Sequence, residues 1–210
     1  RSKFPALKTQ KAFVLIWTTT PWTLPANLAI AFHPDYEYAA FLADGEAYIA
    51  AKRLIPVLAE ELGFKKTKVL VTFLGKEMEG FKTRHPFIDR ESVFVLADYV
   101  TLDQGTGCVH TAHGHGHEDY LTGIAYGLDI YTPVDSEGKF IPQVEKYGEL
   151  NVFEANKSIT EDMKREGTLL KEDEIVHSYP HCWRCKNPVI FRATARKFRR
   201  RERRVLRLFC

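Results

Sequence analysis

Short apolar runs follow one another along this chain with too few helical stretches between them for a sheet of regularly alternating strands and helices. Residues 12–17, 36–42, 46–51, 68–74, 93–97, 107–111 and 189–193 read as strands, rich in β-branched and aromatic side chains. Helical spacing is confined to residues 55–62, 118–126 and 155–166, closed by Gly63, Gly127 and Gly167 respectively. Parallel neighbours need a crossover between every pair of strands, and that many crossovers are not encoded here. The pattern predicts an α+β chain built on a curved, mixed β-sheet with a barrel-like core and helices at its periphery.

Local punctuation refines this. Ala43-Asp44-Gly45 joins two of the runs as a hairpin, and Asp135-Ser136-Glu137-Gly138 marks a further turn. Pro21 and Pro25 exclude a regular helix between them, so residues 12–17 read as a buried strand that delivers Thr18, Thr19 and Thr20 to its end. No apolar stretch reaches the roughly 18 residues of a membrane span, and residues 1–10 lack the apolar block of a signal peptide. With only four cysteines, two of them in one C-x-x-C pair, a disulfide framework is not encoded, and the expected compartment is the cytoplasm.

Charge is unevenly placed. The net charge is +3, but the last sixteen residues hold eight Lys or Arg and one acid, which leaves 22 basic against 26 acidic groups, a net of −4, over residues 1–194. A body of that sign does not grip a long duplex through its phosphates, so any RNA contact is expected to be local.

Two strings carry the chemistry. The first is Trp17-Thr18-Thr19-Thr20-Pro21-Trp22-Thr23-Leu24-Pro25-Ala26-Asn27. Strand alternation would send Thr18 and Thr20 to one face and Thr19 to the other, with the prolines fixing the exit. Threonines that merely satisfy the local turn backbone are the alternative. The second string is Gly105-Thr106-Gly107-Cys108-Val109-His110-Thr111-Ala112-His113-Gly114-His115-Gly116-His117-Glu118-Asp119-Tyr120. Its glycines permit tight bends and close approach of a ligand. Its histidines suggest a metal, yet their spacing matches no zinc pattern of rigidly presented ligands, and His115 and His117 read as solvated loop residues. Asp119 falls in the first turn of a helix, where acids are stabilised by the helix dipole whatever their function.

Together the strings resemble the editing domain of the isoleucyl-tRNA synthetases, the module inserted into the catalytic domain of these class I enzymes. The resemblance extends through Ala97-Asp98-Tyr99-Val100, Tyr126-Gly127-Leu128, Asn151-Val152-Phe153, Ala155-Asn156 and His177-Ser178-Tyr179-Pro180-His181-Cys182-Trp183-Arg184. Trp22 after Thr18-Thr19-Thr20-Pro21 favours the isoleucyl member over the valyl and leucyl enzymes, which carry Thr-Thr-Arg-Pro there. His113, where proline is expected, and His117 depart from the pattern.

The resemblance implies a hydrolase that removes valine from misacylated valyl-tRNA(Ile), and valyl-adenylate as a further substrate, while excluding isoleucine. Asp119 would bind the α-ammonium of the misattached valine. His110 would wall the side-chain pocket, with a general-base role as the second possibility. Thr19 and Thr20 would hold the carboxyl or terminal ribose and the attacking water, and Thr18, Trp22, Thr23, Asn27, Gly107 and His117 would complete the substrate contacts. No nucleophile paired with a base is encoded, and Cys108 has no evident partner, so direct attack by water without cofactor is expected.

Cys182 and Cys185 supply half of a four-cysteine zinc site whose other half would lie elsewhere in a longer chain. ATP would serve only a separate catalytic domain, since neither a HIGH-type nor a KMSKS-type string is present. The partners implied are the valine-bearing 3′ end of tRNA(Ile) and that catalytic domain, with no membrane and a monomeric state. Residues 1–180 read as the editing domain, 181–194 as a return linker and 195–210 as a basic, disordered tail outside the family pattern. A non-catalytic module binding the tRNA acceptor end is the competing function, and a metallohydrolase built on the histidine loop a third.

Overall fold

The computed structural model describes residues 4–7, 11–174, 178–198 and 201–209, with side chains described as far as Thr194. His177 of the resemblance and Cys210 lie outside the described residues. Two compact units interleave along the chain. One comprises Arg1–Thr19, Ala29–Arg84 and Arg90–His110, and the other Thr20–Leu28, His85–Asp89 and Thr111–Cys210.

The first unit holds two four-stranded sheets. One is ordered β1-β4-β3-β5, from β1 (Ala12–Val14), β3 (Glu37–Ala43), β4 (Glu46–Ala51) and β5 (Thr67–Leu74). The other is ordered β6-β7-β2-β8, from β2 (Ala29–Phe32), β6 (Lys82–Arg84), β7 (Glu91–Leu96) and β8 (Cys108–Thr111), whose last residue is assigned to the second unit. The β1–β4 and β2–β7 pairs are parallel, while β3–β4, β3–β5 and β6–β7 are antiparallel, so both sheets are mixed as expected. They remain open at their edges and do not close into a barrel. The β3–β4 hairpin turns through Asp44 (φ 47) and Gly45 (φ 92), two successive left-handed residues of the kind a two-residue hairpin requires.

Phe32, Tyr38, Ile49, Phe73 and Phe94 fill the core shared by the two sheets, and the rings of Phe32 and Phe94 lie 5.0 Å apart. The opposite face of the first sheet, through Ala39, Phe41, Tyr48 and Ala50, is covered by Ile55 and Leu58 of α1 (Ile55–Glu61). Tyr38 is fully buried, and its hydroxyl accepts the His33 N–H at 2.9 Å and donates to the Gly107 carbonyl at 2.7 Å. Thr106 donates its hydroxyl to the Leu15 carbonyl at 2.6 Å, so the approach to β8 is pinned from two sides.

Gly107 is fixed there by geometry. Its φ is +74°, and a Cβ would lie 2.4 Å from the Cβ of Ala51. Gly107, read from sequence as a substrate contact, thus has no room for a side chain, and its carbonyl accepts the Tyr38 hydroxyl. Gly107→Ala is expected to cost roughly 2–4 kcal/mol, from overpacking plus left-handed backbone strain, measurable as a lower urea midpoint.

The second unit carries the helices α2 (His117–Ala125) and α3 (Val152–Arg165) and a hairpin of β9 (Ile190–Phe198) with β10 (Arg201–Phe209). Helix α3 is capped by Asn151, whose side chain accepts the Phe153 N–H, and ends in Lys164 and Arg165 before Gly167 at φ +68°. Its buried stripe is Val152, Ala155, Ile159 and Met163, spaced as one helical face. Within the basic tail read as disordered, residues 195–198 continue β9 and residues 201–209 form β10, paired in register from Arg201 with Phe198 to Phe209 with Ile190. Clustered arginines lower the apolar content that signals a strand, but a ladder closed through the backbone does not depend on it. Among the described residues no helix is long and apolar enough to cross a membrane.

Candidate functional site

Strand β1 stops at Val14, so the threonines do not sit at a strand end. The next residue still bonds across, Leu15 N–H donating to the Ile49 carbonyl at 3.0 Å, but its own carbonyl is taken by Thr106 and the ladder ends. In the first unit Thr18 is half-buried and Thr19 exposed. His110, on β8, is 9% exposed.

In the second unit, Pro21–Ala26 form a 3₁₀ helix. The prolines rule out an α-helical ladder, yet bonds from Thr23 N to Thr20 O and from Asn27 N to Leu24 O, both 2.9 Å, close tighter three-residue turns. The Thr23 hydroxyl donates to the Thr20 carbonyl at 2.8 Å and lies 3.4 Å from the Thr20 hydroxyl. Trp22, Thr23 and Asn27 are buried, and Thr20 is half-buried at the N-cap. The turn is fixed to α3 by Asn156, whose side-chain carbonyl accepts the Trp22 N–H at 2.8 Å. Asn156 was legible only as part of a resemblance string, because its task depends on a contact 134 residues away.

The loop before α2 is tighter than its glycines suggest. His113 is fully buried, and a Cβ on Gly123 of α2 would lie 2.7 Å from its ring. His115, read from sequence as solvated, is only 8% exposed. Its Nδ1 lies 2.9 Å from the Phe191 carbonyl, and its ring meets Trp22 edge-on at 5.0 Å between centroids. Burial holds both rings neutral and pushes the His115 pKa down to about 4. His115 thus joins the loop to the 3₁₀ turn and to β9, a positioning role that alternating Gly and His does not reveal. His117, the first residue of α2, is exposed.

Asp119 lies in the first turn of α2, half-buried, and its Oδ2 accepts the Ala112 N–H at 2.9 Å. Burial pushes its carboxyl up to about 6, the Ala112 N–H opposes that rise and the neighbouring Glu118 charge adds to it. A half-buried carboxylate that is costly to ionise is one that a ligand cation would stabilise.

Other chemistry is less well served. Cys108 is buried and burial drives its thiol far above the usual range, which makes it inert as a nucleophile. Cys182 and Cys185 stand on a tight turn closed by Lys186 N to Cys182 O at 2.9 Å and Cys182 N to Asn187 O at 2.8 Å, with Lys186 at φ 63°. Among the described residues no three His, Cys, Asp or Glu converge as a metal site, so the turn offers two of the four donors a closed zinc site needs.

No family model matches the chain. Among curated proteins it is 56% identical over 196 residues, 93% of its length, to a protein of Petrotoga mobilis described as isoleucine–tRNA ligase. It is 52% identical over 204 residues, 97% of its length, to one of Desulfovibrio desulfuricans with the same description. The chain spans only 21% and 22% of those two proteins. Of the solved structures, GlLeuRS-CP1 matches with a TM-score of 0.61 at 14% identity, covering 80% of this chain and 87% of that one. The P. falciparum cytosolic leucyl-tRNA synthetase editing domain matches with a TM-score of 0.59 at 12% identity, covering 76% and 78%. At those identities the likeness concerns the fold.

Proposed function

The chain belongs to the isoleucine–tRNA ligase family, and on that premise we propose that it is an editing hydrolase that cleaves the ester of valyl-tRNA(Ile) and spares isoleucyl-tRNA(Ile). The observation that carries the reading is Asp119: a carboxylate held by one backbone N–H at the start of a helix, half-buried and raised to about 6, which an α-ammonium would stabilise.

One methylene changes side-chain binding by only about 1–3 kcal/mol, and isoleucine against valine is the standard illustration of that limit. A second pocket that accepts only the smaller residue supplies the missing discrimination. Asp119 orients the aminoacyl group. Thr19 and Thr20, with Thr18 and Thr23 beside them in sequence, serve the carboxyl, the terminal ribose and the attacking water. Trp22 and Asn27 are buried and belong to the frame of the 3₁₀ turn. His110 excludes the extra methylene, and His117, exposed as the first residue of α2, adds a further substrate contact.

Water attacks the ester carbonyl carbon, the bond to the ribose oxygen breaks, one of the water's protons passes to the ribose oxygen and the other to solvent, and valine leaves as its carboxylate. Zinc has no part in this step. In a longer chain it would be held by Cys182 and Cys185 with two donors from another segment. The tRNA 3′ end and a synthetic domain in the same polypeptide are the proposed partners.

The experiment is deacylation of purified valyl- and isoleucyl-tRNA(Ile), with and without a chelator. Loss of the valyl ester alone, insensitive to chelation, is the expected result. RNA binding without turnover would favour the acceptor-end module, and chelator-sensitive turnover the metallohydrolase.

The pH dependence follows from the anchor. Asp119 must be ionised to hold an ammonium, and with its carboxyl at about 6 only about a tenth is ionised at pH 5. The kcat/KM for the valyl ester is expected to rise roughly tenfold between pH 5 and 7.5. It should fall again as the substrate amine loses its proton near pH ~8. A flat profile between pH 5 and 7 would count against the anchor.

A further inference from the structure

Gly116 is the N-cap of α2, a position where Ser, Thr, Asp or Asn commonly satisfies an N–H of the first turn; no side-chain cap is present here. Its backbone does not demand glycine, since φ −146° and ψ 149° is extended structure open to any residue. What a side chain there would crowd is Asp119. A Cβ on Gly116 would lie 3.1 Å from both Cγ and Oδ2 of Asp119 and 3.3 Å from its Cβ, so tight that the carboxylate would have to shift by a few tenths of an ångström.

Oδ2 is also the atom that accepts the Ala112 N–H at 2.9 Å. Asp119 is the third residue of α2, the position from which the Glu or Gln of a capping box reaches back to the N–H of the cap. Here it passes the bare cap and reaches Ala112, four residues upstream of Gly116. The loop it reaches is closed by the bond from His115 N to the Ala112 carbonyl at 2.8 Å, so the Ala112 N–H is a fixed target.

We propose that Gly116 is a positioning residue for the ammonium anchor: its missing side chain leaves the space through which the Asp119 carboxylate reaches the Ala112 N–H and is held for the ligand. The inference rests on Asp119 being that anchor. It explains why a helix start with an acid in place forgoes the cap that would stabilise it.

The test uses Gly116→Ala and Gly116→Ser with a non-hydrolysable valylamino analogue of adenosine as probe. Ala fills the space, while Ser fills it and also restores a cap to α2. Both are expected to weaken probe binding about five- to twentyfold and to raise the Asp119 carboxyl above 6 by about half to one pH unit, read by carbon-13 NMR, because the bond favouring the charged form is lengthened. Gly116→Ser should do so with an unchanged or higher melting temperature, an outcome that general loosening cannot produce.

Gly127→Ala serves as comparison. It ends the same helix at φ +62° with open space around it, and should lower the melting temperature while leaving the Asp119 titration in place. Wild-type probe affinity or an unmoved Asp119 titration in the Gly116 variants overturns the inference. Wild-type probe affinity in Asp119→Asn would instead remove the anchor reading on which it rests.

Discussion

Asp119→Ala is expected to slow deacylation of valyl-tRNA(Ile) by about a hundred- to a thousandfold while the protein stays folded. Opposite charges about 4 Å apart attract by roughly 4 kcal/mol at an effective dielectric near 20, and desolvation removes part of that. A net 3–4 kcal/mol corresponds to about two to three factors of ten in rate. The carboxyl, raised to about 6, is more easily protonated in the fold than in the unfolded chain. Its contribution to stability is therefore fully present below the ordinary carboxylate range and is lost as pH rises through about 6. At pH 7.5 the ionised group is a burden on the fold, so its removal should leave the melting temperature unchanged or higher. Asp119→Asn keeps an acceptor for Ala112 and loses only the charge. If Asn restores deacylation that Ala has lost, the group acts by shape and not as an anchor.

How far these features could be read from the sequence depended on whether a local signal existed. The β3–β4 hairpin was legible because Asp44-Gly45 adopts the two left-handed conformations its turn demands. Helix α3 was legible because Ala155, Ile159 and Met163 keep one buried face. Strand β2 was not, since Ala29–Phe32 is buried on both sides and shows no alternation to detect. The end of β1 was misplaced because it is set by Thr106, 91 residues away, capturing the Leu15 carbonyl.

In the site the same division holds. The place of Asp119 in the first turn of a helix was legible from the helical spacing that follows the glycine-rich string. His115 was misread because a histidine in a loop is ordinarily solvated, and only the tertiary contacts with Trp22 and Phe191 make a neutral, buried ring the stable form. Gly107 shows the converse ambiguity. Glycine signals close approach, but the sequence does not say whether a ligand or, as here, Ala51 is what approaches.

Those contacts bear on selectivity. A wall that must refuse a single methylene cannot yield by more than a fraction of an ångström, and a strand gives such a wall where a loop does not. His110 is buried on β8, whose start is clamped by the Tyr38 hydroxyl on the Gly107 carbonyl and by Thr106 on Leu15. His110→Ala is accordingly expected to raise hydrolysis of isoleucyl-tRNA(Ile) by about ten- to a hundredfold, the range that one methylene commands, with the valyl rate changed only a few-fold. The comparison of the two esters separates wall from base. Loss of a general base would slow both together by about a hundredfold or more, since positioned proton transfer contributes on that scale. Loss of a wall moves the isoleucyl ester upward alone. A variant that still spares isoleucine at an unchanged valyl rate would mean that the exclusion resides in another side chain.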